Sequence, residues 1–544
     1  MKNYIFLALT LCAALSACDY EAVNTNVYGV SDEELGPLKY GARFMNMQQK
    51  VIPIGSPTET TGPGNDLQNT DLISSGNYIG YFGNNNDWND VLEATWNFAD
   101  ARMAYAYQNF YSNMFQSWNE IYQLAKDADT PSEQAMLAVT NIVKNAGWLR
   151  ATDVFGPISY TTAGDGSPAP KFDSQATVYK AMMEDLAKSV DILKNVTFSV
   201  LADYDVIYNG DARKWTKLAN SLMLRMAVRT HFVDEALAKT YIERALDPAN
   251  GGVIETVTDE AKIASSDKMP LKNSMIASVD EYGETRMGAT IWSYLTGYND
   301  PRLDVYFTQG TYGWSSGYYP IAPTNDQAKQ NEGNTYGAYY ASKPKVSSSS
   351  PLYWFRASET YFLKAEAALY GLYAGGDAKT LYQEGVRMSF EENGASGADS
   401  YLVKTDKPKA MTTALYKYPP MSYSCDLSIG NTSPSWDDAA TQEEQLQKII
   451  TQKYLALYPN AVEAWTEYRR TGYPYIMKPK DTAAPGRIGA TDADCRAPER
   501  FRFAPSAYDS NPNMAEIPQL LGGADQGSTR LWWVRPNRPN QPKQ

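Results

Sequence analysis

The chain has 544 residues, a formal net charge of −13 and apolar residues at 43% of its positions. This length is sufficient for a large hydrophobic core and for more than one domain. The acidic balance argues against nucleic acid and anionic lipid surfaces as partners. The sequence contains one histidine, which excludes a histidine-rich metal site.

The first 17 residues have the features of a secretory signal peptide. Lys2 gives a basic start, an apolar run extends from Tyr4 to Ala14, and Leu15-Ser16-Ala17-Cys18 closes the leader. This ending resembles a bacterial lipobox, in which the cysteine is acylated and becomes the new N-terminus. Two or more acyl chains, at about 0.8 kcal/mol per buried CH₂, give stable anchoring. We therefore expect lipidation of Cys18, the alternative being an ordinary secreted protein cut near Ala17.

Apolar residues recur at spacings of three and four through the first half of the chain, which predicts amphipathic helices. The stripes run from Ala135 to Leu149, from Val178 to Leu193 and from Trp215 to Met226. Asp211 is placed to cap the third helix. No later stretch has 18 uncharged apolar residues, so the mature chain is not expected to span a bilayer.

Ser358 to Leu372 predicts the first helix of a hairpin, which breaks at Gly375-Gly376. Asp377 can cap the partner helix, which is expected to end at Asn393-Gly394. The unit is roughly 34 residues long, the period of tetratricopeptide helix pairs. Its alanines would permit close crossing of the two helices.

A second helix pair begins at Thr441-Gln442-Glu443-Glu444, a capping-box pattern. Pro459-Asn460 turns the chain, and Gly472 with Pro474 ends the following helix after Arg469 and Arg470. We expect these two arginines to be structural, because a guanidinium at a helix C-terminus complements the dipole and can bind loop carbonyls or carboxylates.

Irregular stretches rich in Gly, Asn, Ser, Pro and aromatic residues separate the helical blocks, mainly at 74–90, 251–350 and 487–544. Aromatic residues make up 12% of the chain, and their flat faces suit both core packing and ligand stacking. The predicted fold is mainly α, a helical-hairpin scaffold with long irregular aromatic-rich loops, where function is usually located.

Enzymatic signatures are weak. Gly313-Trp314-Ser315-Ser316-Gly317 matches the Gly-x-Ser-x-Gly pattern, but a nucleophile elbow needs a strand before it, a helix after it and a later histidine. His231, the sole histidine, precedes the motif and is expected to be structural. A surface glycoside hydrolase that uses paired carboxylates is the enzymatic alternative. We expect no catalysis and no cofactor.

Two further points stay open. Cys425 and Cys495 remain in the mature chain either as one disulfide or as two free thiols. Calcium binding is an alternative role for residues 84–90, although the acidic spacing there does not fit an EF-hand loop.

Several sequence blocks are similar, in identity and in order along the chain, to those of the SusD/RagB outer-membrane lipoproteins of Bacteroidetes-type bacteria. The block Phe390-Glu391-Glu392-Asn393-Gly394 resembles one subfamily of these proteins. Besides the lipobox, the blocks are Trp148–Arg150, Phe155–Pro157, Lys214–Leu222, Phe355–Tyr361, Lys364–Ala367, Gln452–Tyr454, Glu463–Trp465, Arg469–Pro474, Pro498–Phe503, Asn511-Pro512 and Trp532-Trp533. Each block is weak alone, but together they cover nearly the whole chain.

The resemblance implies a tetratricopeptide-like scaffold anchored to outer-membrane lipid and facing the cell exterior. It also implies a partner, a SusC-like TonB-dependent transporter that the lipoprotein covers as a hinged lid. On this basis the chain divides into a signal peptide at 1–17, a lipidated tether at 18–34 and a SusD-like helical domain at 35–544.

Members of this family bind oligosaccharides, or in some cases peptides, on an aromatic platform that no fixed motif marks. Two loops are candidates in this chain, and their residues are Tyr81, Asn86 and Trp88 in the first and Trp314, Tyr318 and Tyr319 in the second. A ring that covers about 100 Å² of sugar would contribute ~2.5 kcal/mol before ordering costs. The alternative for each aromatic residue is that it pins a long loop to the scaffold.

Overall fold

The computed structural model describes residues 38–59, 61–84, 100–312, 315–323, 341–411, 432–478 and 498–539. The chain divides into two compact units, Met1–Ala42 and Arg43–Gln544. Of the first unit, the described part is residues 38–42, the start of a helix that spans Leu38–Val51.

Helices dominate the second unit, which confirms the predicted mainly α class. The longer ones are Asn113–Ala125, Pro131–Phe155, Gln175–Leu193, Ala212–Thr230, Glu235–Leu246, Ala357–Leu369, Ala378–Glu392, Gln442–Leu457 and Ala461–Thr471. The shorter α-helices are Thr61–Leu67, Gly76–Tyr78, Asp100–Tyr107, Ala289–Gly297, Leu303–Tyr306, Ala398–Tyr401, Pro505–Ser510 and Ile517–Leu521. Within the described ranges, no helix is both long and apolar enough to cross a bilayer.

The predicted helix starts are confirmed by their capping hydrogen bonds. Asp211 accepts from the amide of Arg213, and Asp377 accepts from that of Thr380. Thr441 forms the complete capping box with Glu444. Each cap satisfies amide groups that the first helical turn leaves without an internal partner.

The first predicted hairpin is formed by Ala357–Leu369 packed against Ala378–Glu392. Their close crossing depends on Gly385, where an added Cβ would lie 2.9 Å from the Phe362 ring. The small residue at the crossing is thus a glycine on the second helix. This antiparallel pairing matches the tetratricopeptide-like arrangement that the sequence predicts.

The predicted structural role of Arg469 and Arg470 is confirmed, since both side chains are fully buried at the end of the Ala461–Thr471 helix. Arg469 donates to the carbonyls of Asp153 and Glu499 at 2.7 and 2.9 Å. Arg470 forms an ion pair with Glu366 at 2.6 Å. Gly472 ends the helix with φ at 86°, as the sequence predicts.

His231 is also structural. It is the C-cap residue of the Ala212–Thr230 helix, and its side chain is buried. Its Nε2 lies 2.9 Å from the Glu366 carboxylate, which also binds Arg470. The expectation of a structural histidine therefore agrees with its position.

Within the described residues, six short strands form three antiparallel pairs. Phe82–Asn84 pairs with Thr285–Met287, Ala261–Ile263 with Leu352–Phe355, and Gly310–Tyr312 with Ser315–Gly317. Four of these strands lie in the 251–350 stretch, which the sequence predicts to be irregular.

That stretch also contains the helix Ala289–Gly297, which the sequence analysis did not predict. Residues 289–295 of this helix are all buried. A helix buried on every side has no polar stripe, so its sequence lacks the periodicity that identifies a surface helix. This helix positions the candidate site.

Candidate functional site

The second candidate loop is carried by an antiparallel hairpin. Gly310–Tyr312 pairs with Ser315–Gly317, and the chain continues directly into Tyr318 and Tyr319. Both tyrosines are partly exposed, and Ser315 and Ser316 are exposed. A strand thus precedes the Gly-x-Ser-x-Gly motif, and a second strand contains the last three residues of the motif. The strand-to-helix context of a nucleophile elbow is absent from this described part of the chain.

Tyr318 is held at both ends. Its carbonyl oxygen accepts a 2.9 Å hydrogen bond from the indole N–H of Trp292, a residue that is almost fully buried. Its hydroxyl donates to the carboxylate of Asp304. Burial is the main cause, and the hydrogen bond to the Asp304 carboxylate the second, of a Tyr318 pKa above its usual value. The phenol therefore stays protonated and acts as a donor.

Tyr319 is fixed mainly through its backbone. Its amide donates to the Ser342 hydroxyl at 3.0 Å, and its carbonyl accepts from the Ser342 amide at 2.9 Å. The Tyr319 hydroxyl reaches the carbonyl of Ser315 in the hairpin at 3.4 Å. The two neighbouring tyrosines are therefore held against different parts of the scaffold.

The buried helix Ala289–Gly297 is the common support for this region. Besides the bond from Trp292, Ser293 donates to the Lys409 carbonyl at 2.6 Å and accepts from the Lys409 amide at 2.9 Å. The Lys409 ammonium lies over the Trp292 ring, 5.3 Å from its centroid. One helix thus fixes the hairpin and the segment near residue 409, although they are far apart in sequence.

The first candidate loop starts close to the second. Phe82–Asn84 pairs with Thr285–Met287, and the Met287 carbonyl accepts the amide of Ile321 at 2.8 Å. A Cβ added at Gly83 would lie 2.5 Å from the Ile321 side chain, so these backbones approach closely. The described bases of both loops therefore adjoin the same central strand, which the sequence analysis could not determine.

Tyr81 has a different position from the one expected for a platform residue. Its side chain is fully buried, its ring stacks on Tyr454 at 4.6 Å, and its hydroxyl donates to the Tyr454 carbonyl. It offers no face to a ligand at the surface, because helix Gln442–Leu457 covers it. Tyr81 therefore packs the core beneath the first loop.

The remaining expected residues lie outside the described ranges. They are Cys18, Asn86, Trp88 and Trp314, together with Cys425 and Cys495. The same applies to residues 85–90 of the possible calcium loop. Among the described residues, no group of three or more His, Cys, Asp or Glu side chains is arranged to hold a metal ion.

Asp304 and Trp292 were missed by the sequence analysis. Asp304 lies in the short helix Leu303–Tyr306 and is exposed, and Trp292 lies in the buried helix. Neither belongs to a recognisable motif. Their roles depend on contacts with Tyr318, which is 14 residues from Asp304 and 26 from Trp292.

Comparisons with known proteins agree with this architecture. The model of the SusD-like family, described as SusD and RagB outer membrane lipoproteins, matches residues 22–534. No match was found among curated proteins. The solved structure of BT1043 is 69% identical, with a TM-score of 0.89 over 93% of this chain and 100% of the other.

Two more distant structures have the same fold. A chitin-binding SusD homologue from Flavobacterium johnsoniae is 30% identical, with a TM-score of 0.81 over 92% of this chain and 99% of its own. A SusD homologue from Bacteroides vulgatus is also 30% identical, with a TM-score of 0.81 over 94% of this chain and 100% of its own. The chain therefore belongs to the SusD-like family of outer-membrane lipoproteins.

Proposed function

We propose that this protein is a cell-surface lipoprotein that captures an oligosaccharide and delivers it to a SusC-like TonB-dependent transporter, without breaking it. The observation that carries the proposal is the family match over residues 22–534. The chitin-binding relative, 30% identical along nearly its full length, supports a carbohydrate over a peptide as the ligand.

The chemistry of the described hairpin supports the same ligand class. Tyr318 and Tyr319 combine partly exposed rings with the hydroxyls of Ser315 and Ser316. Sugars have apolar C–H faces, which suit aromatic rings, and hydroxyls, which suit polar side chains. Trp314 lies between the two strands in sequence and belongs to the proposed platform. Two or three such rings give an affinity of about mM to µM, which permits release to a transporter.

The binding test uses the purified chain without its leader on an array of neutral oligosaccharides and short peptides. We expect retention of one or more oligosaccharides, and loss of most of it when Trp314 and Tyr318 are both changed to Ala. Tyr508→Ala is the matched control, since Tyr508 is 36% exposed and also donates to a carboxylate, at 2.8 Å. Retention of peptides alone, or catalytic release of shorter sugars, would overturn the assignment.

The anchoring test addresses Cys18 and the proposed position on the outer membrane. Cys18→Ala should move the protein from the membrane fraction to the soluble fraction, because the acyl chains supply the membrane affinity. Affinity purification of the tagged wild-type protein should bring down a TonB-dependent barrel. Firm membrane attachment of the variant, or the absence of any barrel in the purified complex, contradicts this part of the proposal.

A further inference from the structure

We infer that Asp304 determines ligand specificity, by accepting hydrogen bonds from hydroxyl groups of a sugar ring stacked on Tyr318. This inference rests on the proposed function and adds a polar residue to the aromatic platform. It starts from the arrangement of Tyr318, Asp304 and Trp292.

The Tyr318 ring is preorganised for contact. The indole of Trp292 fixes its main chain at 2.9 Å, and Asp304 fixes its hydroxyl at the opposite end. A ring that is already immobilised loses little conformational entropy when a ligand stacks on it. The partly exposed Tyr318 face therefore fixes where a sugar lies relative to Asp304.

The Asp304 carboxylate retains capacity for a ligand. The residue is exposed, and within the described ranges its side chain accepts a hydrogen bond from Tyr318 through one oxygen. Lys345 donates to the Asp304 main-chain carbonyl at 3.2 Å, which leaves the carboxylate available. A carboxylate has about four acceptor positions, so at least one oxygen can accept sugar hydroxyls.

A second tyrosine–aspartate pair shows the difference between an open and a saturated carboxylate. Tyr508 donates to Asp525 at 2.8 Å, as Tyr318 does to Asp304. Asp525, however, also binds the buried Arg500 at 2.5 Å and accepts the amide of Phe503 at 3.2 Å. Its acceptor positions are occupied by the protein, so that pair serves the fold.

Gln309 adds to the same edge of the platform. Gln309 is exposed, and its side chain forms a hydrogen bond with the Tyr318 phenol. This hydrogen bond lowers the phenol pKa, whereas burial, the larger effect, raises it. The edge of the ring therefore presents a carboxylate and an amide. This set favours a sugar with adjacent free hydroxyls, because hydroxyls donate strong hydrogen bonds to a charged acceptor. A neutral sugar is favoured over an anionic one, because the Asp304 carboxylate repels a like charge.

The test repeats the oligosaccharide array with Asp304→Asn, which keeps an acceptor for Tyr318 but removes the charge and one acceptor oxygen. We expect the best-retained neutral oligosaccharide to bind about 10- to 100-fold more weakly, corresponding to the loss of one hydrogen bond to a charged group. Asp438→Asn, an exposed aspartate bonded to Lys379, is the control and should bind as the wild type does. Thermal melting should be the same for all three proteins.

The outcomes separate this inference from the function on which it rests. If Tyr318→Ala weakens binding and Asp304→Asn does not, Asp304 has no role in recognition, although the platform stands. If the wild type retains no oligosaccharide, the proposed function fails first. If Asp304→Asn weakens binding only in proportion to a lower melting temperature, the effect is structural and the inference is wrong.

Discussion

The surroundings of Glu392, within the Phe390–Gly394 block, predict how the stability of the fold depends on pH. Its carboxylate accepts the amide of Ser358 at 2.5 Å and the Ser358 hydroxyl at 2.7 Å, at the start of the Ala357–Leu369 helix. The Glu392 side chain is fully buried, with the Arg356 guanidinium 3.4 Å away. Glu260 lies on the same arginine at 3.3 Å, so one cation serves two buried carboxylates.

Burial raises the pKa of Glu392 from 4.5 to about 8, with Arg356 opposing this effect and Glu260 adding to it. The folded protein thus binds this proton more tightly than the unfolded chain does. Its contribution to stability is full below pH 4.5 and disappears as the pH rises through 8. At about 1.4 kcal/mol per pKa unit, the loss between pH 5 and pH 8 is on the order of 3 kcal/mol.

Glu392→Gln replaces the protonated carboxyl with a neutral amide of similar shape. We expect wild type and variant to melt at similar temperatures at pH 5, and the variant to melt roughly 3 °C higher at pH 8, given the entropy of unfolding of a chain of this size. Differential scanning calorimetry at both pH values measures this difference. Glu391→Gln, at the exposed neighbouring position, is the control and should not show it.

The pH dependence is the decisive quantity. An unchanged difference between wild type and Glu392→Gln at pH 5 and pH 8 would refute a protonated Glu392. A variant less stable at pH 8 than at pH 5, relative to wild type, would show instead that an ionised Glu392 stabilises the helix start.

Two further predictions concern the end of the Ala461–Thr471 helix. Gly472→Ala should destabilise the fold by about 2–4 kcal/mol, because φ is +86° and a Cβ would overlap the Pro539 carbonyl. The control is Gly522→Ala, at φ +68° with open space around it, which should cost only about 1 kcal/mol. Equal losses of stability for the two variants in denaturant unfolding would contradict the overlap. Arg470→Met should cost about 3–5 kcal/mol at pH 7, because it removes the guanidinium that pairs with the buried Glu366 carboxylate and leaves that carboxylate with the His231 imidazole. In the wild type, burial acts to raise the pKa of Glu366, but Arg470 and His231 lower it to about 2. Without Arg470, the Glu366 carboxylate should protonate at a higher pH, so the stability lost by the variant should shrink as the pH falls. A deficit that does not depend on pH would indicate lost packing only.

Local features were predictable because they depend on neighbouring residues. The caps at Asp211, Asp377 and Thr441 follow from side chains that reach amides two or three positions away. The left-handed glycine at 472 follows in the same way from the end of a helical pattern. The ordered family blocks likewise identified the fold class before any tertiary contact was known.

The candidate site was only partly predictable. Tyr81 and Tyr318 both lie in aromatic-rich stretches, yet one is buried against Tyr454 and the other is partly exposed. Aromatic residues serve core packing and ligand contact equally well, so composition cannot separate these roles. Burial is decided by which distant helix covers the ring.

The sequence by itself therefore determined the helices with a clear apolar stripe, their caps and the family. Apolar periodicity, short-range hydrogen bonds and ordered sequence blocks do not depend on distant segments. Tertiary structure alone decided that Trp292 and Asp304 hold Tyr318, and that both candidate loops start beside the Thr285–Met287 strand. The physical reason is that such contacts join segments distant in the chain, and their geometry exists only once a common core has packed.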